Sequence, residues 1–274
     1  MTNEWELKKL IVEIGRRIWI RGYVAANDGN ITVKLNEHEL LTTPTGVSKG
    51  FLTDDMIIKT DMTGKVISGN PKYRPSSEVK IHLEVYKERP DIKSVVHAHP
   101  PYATSFAVAG IPLNKCVLPE AIVVIGAVPT VKYGLPSTME IPDAIREHIK
   151  NSDAILLENH GALSLGTDLL NAYHKMETLE HTASIVWKAI QLGNMNVLPE
   201  NERDRLMGLR EKFKLQGRVA TCDATPMPSS ETPLFQFKGL SNQQTCQANS
   251  TAKDISEKAI KEITERVLAK IKQG

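Results

Sequence analysis

The stretch "SVVHAHPPYA", residues 94–103, constrains this chain more than any other. "IKSVVHAHP" reads as a short apolar strand that Pro100 and Pro101 bring to a stop. Residues two apart on a strand point to the same side, so His97 and His99 project into one space. The chain holds only 8 histidines. Two of them on one strand face either share a metal or are packed there as hydrogen-bonded strand residues.

Around this strand, helical and strand-like segments alternate. Residues 3–22 read as a helix ending near Gly22, while "GNITVKL" and "ELLTTPTG" read as two strands of a meander. "DMIIKTDMTGKVISG" gives another strand pair, turning at Thr63 and Gly64. "SSEVKIHLEVYKER" is helical, with Ser76 or Ser77 as N-cap and Pro90 beyond its end. A helix follows over 102–109, then the strand-like "AIVVIGAVPTVKY", the helical "TMEIPDAIREHIK", the strand "DAILLENHGAL" and a long helix over 168–192. No dinucleotide glycine fingerprint interrupts this order. The expected body is therefore a three-layer α/β/α arrangement around a central mixed, largely antiparallel sheet.

Composition narrows the class. With 34 basic and 32 acidic residues well mixed, no basic stripe offers itself to nucleic acid. No apolar run reaches the roughly 18 residues of a membrane span, and the charged N-terminus does not resemble a signal peptide. Cys116, Cys222 and Cys246 are odd in number and widely spaced, so the expectation is free thiols and a reducing cytoplasmic setting.

Near residue 217 the composition changes. Residues 1–217 form the expected catalytic body, residues 218–252 a Ser/Thr/Pro/Gln-rich linker without period, and residues 253–274 an amphipathic helix. In that last segment Ile255, Ala259, Ile260, Ile263, Val267, Leu268 and Ile271 keep one apolar stripe. Such a helix needs a surface. Its own body, a neighbouring subunit or another protein could supply one. A helix on a Ser/Thr/Pro/Gln tether resembles the encapsulation peptides that bind bacterial microcompartment shells.

A third histidine completes a constellation. "AILLENHGAL" places His160 just past a buried strand, next to Gly161. Three neutral imidazoles suit Zn²⁺ with positions left open for substrate. "RPSSEV" sets Ser76, Ser77 and Glu78 at a helix start, where an anion or simply a cap is favoured. "NDGNITV" and "TPTG" offer Gly29, Asn30, Thr45 and Gly46, which read as ligand loops or as plain turns. The tryptophans Trp5, Trp19 and Trp187 are expected in the core, His82 on the inner face of its helix, and His38 and His148 on the surface.

Taken together, "DGNITV", "LTTPTG", "PSSE", "VVHAHP" and "LLENHG" occur in the order and spacing of the class II aldolase family, which includes fuculose-phosphate aldolases and ribulose-phosphate epimerases. The resemblance covers residues 3–215. It implies one Zn²⁺ per subunit on His97, His99 and His160, with Glu78 as the acid/base at the metal. It also implies a substrate phosphate held by Gly29, Asn30, Thr45, Gly46, Ser76 and Ser77. The activity implied is cleavage of L-fuculose 1-phosphate, or L-rhamnulose 1-phosphate, to dihydroxyacetone phosphate and lactaldehyde by a homotetramer. Epimerases of the family tend to carry aspartate in place of Glu78, so "SSE" favours the aldolase over the epimerase and dehydratase branches. A non-catalytic scaffold is the reading outside enzymes, and the intact histidines and Glu78 speak against it. Where the family has a proton-transferring tyrosine from a neighbouring subunit, this chain has Cys116 or a neighbour. Tyr133 and Glu120 are the candidate replacements.

Overall fold

The computed structural model describes residues 3–226. Its centre is an 8-stranded sheet: β1 Asn30–Lys34, β2 Glu39–Thr42, β3 Ile58–Asp61, β4 Val66–Ser68, β5 Ser94–Ala98, β6 Thr130–Val131, β7 Ala154–Leu157 and β8 Gly161–Gly166. Their order across the sheet is β4-β3-β2-β1-β5-β8-β7-β6. All neighbours are antiparallel except β6 with β7, which makes the sheet mixed as expected. The helices are α1 Glu4–Ile20, α2 Val79–Glu88, α3 Pro101–Ala109, α4 Pro119–Val124, α5 Glu140–Ile149, α6 Leu169–Gln191 and α7 Glu200–Lys212.

Side-chain alternation divides these helices between the two faces of the sheet. Ile31, Val33, Val96, Ala98, Leu156 and Ala162 point to the cluster shared with α1, α3 and α6. Leu40, Val95, Ile155, Leu157, Leu163 and Leu165 point to the one shared with α2 and α5. Three layers result: β1, β5, β7 and β8 bury both faces, whereas the edge strand β4 is exposed.

Local chemistry explains most boundaries. Asn3 and Glu6 close a capping box at the start of α1, with Glu6 N–H donating to Asn3 Oδ1 at 2.9 Å. Pro101 opens α3, and Gly110, at φ +67°, supplies the left-handed residue that ends it. The helix expected from Ser76 or Ser77 starts later: Glu78 is the N-cap, and Ser76 Oγ instead accepts from the Glu78 N–H at 3.3 Å.

Other differences have physical causes. "AIVVIG" is strand-like by composition, yet Pro119–Val124 is a turn and a half of helix. Pro119 presets its first turn, and Ile122 is drawn into a small cluster with Cys116, Ala127 and Cys222. Trp5, Trp19 and Trp187 are exposed rather than core. Trp19 packs on Phe51 instead, and Trp187 on Tyr102, each in a tilted ring pair at the surface.

The body also runs past residue 217. Gly217, at φ +92°, crosses over the buried pair Asp153–Lys175, and an added Cβ would strike Asp153 Oδ2. Beyond it, the Arg218 N–H donates to Asp153 Oδ2 at 2.9 Å, and Ala127 N–H to Ala220 O at 2.9 Å. Cys222 is disulfide-bonded to Cys116, which overturns the expectation of free thiols for these two. A segment without hydrophobic period can still be fixed by backbone pairing and a crosslink. The rest of the proposed linker, residues 227–252 with Cys246, and the terminal helix, residues 253–274, lie outside the described residues. Among the described residues, no helix is long and apolar enough to cross a membrane.

Candidate metal centre

Strand β5 sits in mid-sheet, between β1 and β8. His97 is fully buried on its Val95 side, and its Nδ1–H donates to the Ala162 carbonyl of β8 at 2.9 Å. That bond fixes the tautomer and leaves the Nε2 lone pair free on the side of His99 and Glu78. His99 lies one residue beyond the strand, its N–H donating to Tyr23 O at 2.8 Å. The two Nε2 atoms are 3.2 Å apart. His160 comes from the turn between β7 and β8, and its ring centroid lies 4.7 Å from that of His97 and 5.1 Å from that of His99.

One nitrogen from each ring lies within 4.8 Å of the others, a group fit to hold a metal ion. Three nitrogens in a tetrahedral zinc shell at about 2.0–2.1 Å would be separated by about 3.3–3.4 Å. The His97–His99 spacing of 3.2 Å meets that already. Burial holds His97 well below the usual imidazole range, against the pull of Glu78, and burial lowers His99 as well. The uncharged form, which is the ligating form, is therefore favoured.

Glu78 joins the cluster from the start of α2. Its Oε2 is 3.5 Å from His97 Nε2 and its Oε1 is 3.1 Å from His160 Nε2. Asn30, the first residue of β1, donates from Nδ2 to Glu78 Oε2 at 3.1 Å and is itself buried. Burial works against the Glu78 charge, but the His160 hydrogen bond and the neighbouring imidazoles outweigh it and hold the carboxyl below its usual range.

Of the proposed phosphate residues, Asn30 and Ser76 contact Glu78 directly, Asn30 at the carboxylate and Ser76 at the backbone N–H. Gly29, at φ +74°, packs so closely that a Cβ would lie 2.8 Å from His97 O. Pro44 pairs with Pro75, the Ser76 N–H reaches Thr43 O at 3.3 Å, and the Thr45 N–H reaches Arg74 O at 2.9 Å. These contacts join the 43–45 loop to the 74–76 segment that leads into Glu78, while the Ser77 hydroxyl is bonded to Ser137 Oγ at 2.8 Å. Gly46, at φ +71°, faces open space.

Neither candidate proton donor joins this cluster. Tyr133 is exposed and is tied by its backbone N–H to Glu158 Oε2 at 2.9 Å. Glu120 lines a cleft of about 690 Å³ together with Arg21, Tyr23, Tyr102, Glu177 and His181. His174 and His181 are exposed on α6, while Glu180 accepts the N–H groups of Tyr102 and Ala103 at the start of α3. His82 is buried against Thr32, with Nδ1 and Oγ1 2.8 Å apart. His38 is exposed, and His148 half-buried.

The sequence reading missed Asp28, whose Oδ2 stands 3.5 Å from His99 Nδ1. The acidic residue beside "GN" was the available signal. Gly161, beside His160 in the sequence, also has a spatial role at His99. An added Cβ there would lie 2.5 Å from His99 Cδ2 and 2.6 Å from Ala98 O. Gly161→Ala should therefore displace the His99 ring and weaken metal binding at the three histidines about 10–100-fold, as loss of a ligand's support commonly does. Competition against a chromogenic chelator would measure this; unchanged affinity would mean that the ring position tolerates the methyl.

Residues 9–187 match the family described as "Class II Aldolase and Adducin N-terminal domain". The chain belongs to the class II aldolase family. An L-fuculose phosphate aldolase of Methanococcus maripaludis is 36% identical over 64% of this chain and 92% of its own length. A 3-oxo-tetronate 4-phosphate decarboxylase of Haemophilus influenzae is 33% identical over 65% of this chain and 85% of its length. A solved L-fuculose 1-phosphate aldolase superposes with TM-score 0.70 at 30% identity, covering 78% of this chain and 99% of that one. This class II aldolase family member is thus an enzyme of the lyase type, on a fold that agrees with the three-layer expectation.

Proposed function

We propose that the chain is a zinc-dependent lyase that cleaves L-fuculose 1-phosphate, or a close ketose 1-phosphate such as L-rhamnulose 1-phosphate, to dihydroxyacetone phosphate and lactaldehyde. The observation that carries this reading is the placement of Glu78, 3.5 Å from His97 Nε2 and 3.1 Å from His160 Nε2, beside the loops of Asn30, Thr45 and Ser76. His97, His99 and His160 would hold the metal. When bound, zinc supplies Lewis-acid polarisation of the substrate carbonyl. Glu78 would move a proton at the carbon next to that carbonyl, and Asn30 would keep its carboxylate aimed there. Gly29, Thr45, Gly46, Ser76 and Ser77, with Asn30, would anchor the phosphate and so orient the reacting end. Relatives named for phosphorylated substrates support the anion subsite.

A second reading has its own support. Where the family resemblance expects a proton-transferring tyrosine, this chain has Cys116 or a neighbour, and Cys116 is 0% exposed and bonded to Cys222. A disulfide sulfur has no proton to exchange. Aldol cleavage must remove a hydroxyl proton from the departing fragment, whereas decarboxylation releases CO₂ and needs no such step. Cleaving a 3-oxo-tetronate 4-phosphate by decarboxylation also leaves dihydroxyacetone phosphate, so Glu78 and the phosphate loops would serve unchanged.

Metal content by elemental analysis, run beside both substrates, tests these readings. About one zinc per chain with dihydroxyacetone phosphate from L-fuculose 1-phosphate is the expected result. Release only from the oxo acid, with CO₂, would select the decarboxylase. Zinc with neither product would move the reading to epimerase or dehydratase, and no zinc would overturn the metal site. We also propose a homotetramer, following the resemblance, and a shell-binding role for residues 253–274. Deleting that segment should leave turnover unchanged while abolishing co-sedimentation with microcompartment shells; co-sedimentation that survives the deletion would overturn the shell role.

A further inference from the structure

A buried lysine lies beneath the proposed phosphate loops. Lys49 is 1% exposed, and its Nζ donates to Asn27 O at 2.9 Å and to Val47 O at 2.8 Å. Asn27 stands two residues before Gly29, and Val47 directly follows Gly46. One ammonium therefore ties together the two loops that carry four of the six proposed phosphate-binding residues.

Its position is built, not incidental. Lys49 opens a short 3₁₀ turn, Lys49–Phe51, packed hard against α1. A Cβ on Gly15 of α1 would lie 2.9 Å from Lys49 O, and one on Gly50 would strike the Trp19 ring. Two glycines thus let helix and turn approach closely.

The ring Gly29, Asn30, Thr45, Gly46, Ser76 and Ser77 contains no cationic side chain, and Arg74 beside it is exposed. A phosphate dianion held by backbone and hydroxyl donors alone lacks a fixed countercharge. An ammonium uses three donors, and Lys49 places two of them on the loop carbonyls. Charge beneath the loops is screened far less than charge at the surface. Burial lowers the Lys49 pKa to about 8, with Asp28 and Glu78 opposing, so the cation still dominates at neutral pH.

We infer that Lys49 is the positioning residue of the anion subsite: it locks the Asn27–Asn30 and Thr45–Val47 loops in register and supplies the positive charge that favours a phosphate over a neutral group. This rests on the reading that these loops bind phosphate. It adds a residue that touches neither metal nor the reacting carbons, so its loss should act on anion affinity and on KM, not on zinc.

Calorimetric titration with inorganic phosphate, on the zinc-loaded full chain, is the test. The wild type should bind phosphate, Lys49→Met should bind it at least about 10-fold more weakly, and Lys49→Arg should recover part of the loss. Zinc content should stay at one per chain in all three. Equal phosphate affinity in the wild type and Lys49→Met would overturn the role of the lysine while leaving the cradle standing. No phosphate binding by the wild type would overturn the cradle reading and this inference with it. Should Lys49→Met not fold, amide exchange of the wild type decides. Phosphate should slow exchange over residues 24–30 and 44–49 together; protection of one loop alone would overturn the coupling.

Discussion

Glu78→Gln is expected to lower kcat by about 10³-fold, within the 10²–10⁴ that a positioned acid/base usually contributes, while leaving bound zinc and KM close to wild type. The reason lies in what the substitution keeps. Gln has the same shape, and its amide oxygen can still accept from Asn30 Nδ2, which bonds Glu78 Oε2 at 3.1 Å. Three histidine nitrogens within 4.8 Å of one another remain to hold the metal. What disappears is an ionised carboxylate, kept charged by His160 and its neighbours despite burial. A neutral amide cannot take up a proton at neutral pH.

Single-turnover kinetics alongside elemental analysis would separate the possible roles. Turnover lost with zinc retained fits proton transfer. If zinc left together with activity, Glu78 would be holding the ion and not moving protons. Activity near the wild-type level would end its assignment to either role.

Much of this site was legible because its signals are short-range. A period of two plus Pro100 places His97 and His99 together, and the observed ring centroids are 5.0 Å apart. Antiparallel pairing of β5 with β8, Ala98 opposite Ala162, then delivers His160 to the same end of the sheet. The six residues of α4 were not legible: β-branched residues favour a strand locally, and the helix wins through Pro119 at its first turn and the packing of Ile122 against Cys116 and Cys222. Lys49 escaped notice for a related reason. Its partners are two backbone carbonyls, one of them 22 residues away, and backbone carbonyls carry no side-chain signature. The tryptophans were misplaced because bulk was equated with burial, whereas indoles are seldom buried completely.

The disulfide carries the second large effect. It joins Cys116 to Cys222 across a separation of 106 residues, and closing a loop of that length removes about 4.7 kcal/mol of unfolded-state entropy. Cys222→Ser, or a reductant, should therefore lower stability by about 4–5 kcal/mol. In a chain of 274 residues that corresponds to roughly 7–9 °C in Tm. Activity should survive at ambient temperature, because the segment has other anchors. Cys116 N–H donates to Asp223 O at 3.1 Å, Asp223 N–H donates to Asn114 O at 2.7 Å, and Lys115 Nζ meets Asp223 Oδ2 at 2.5 Å. Upstream, Arg218 N–H holds Asp153, whose buried partners are Arg89 and Lys175. Removing one partner from such a buried charge cluster costs about 3–5 kcal/mol, comparable to the crosslink. The crosslink therefore lowers the entropy of the unfolded chain, while the Asp153 cluster keeps the native segment in place. Thermal unfolding with and without reductant separates these contributions. Reductant should have no further effect on Cys222→Ser; an unchanged midpoint for the reduced wild type would show that the bond adds nothing to stability. In a reducing compartment the same protein would sit at the lower of the two midpoints, folded and active, with the Asp153 cluster still holding the stretch that begins at Arg218 in place.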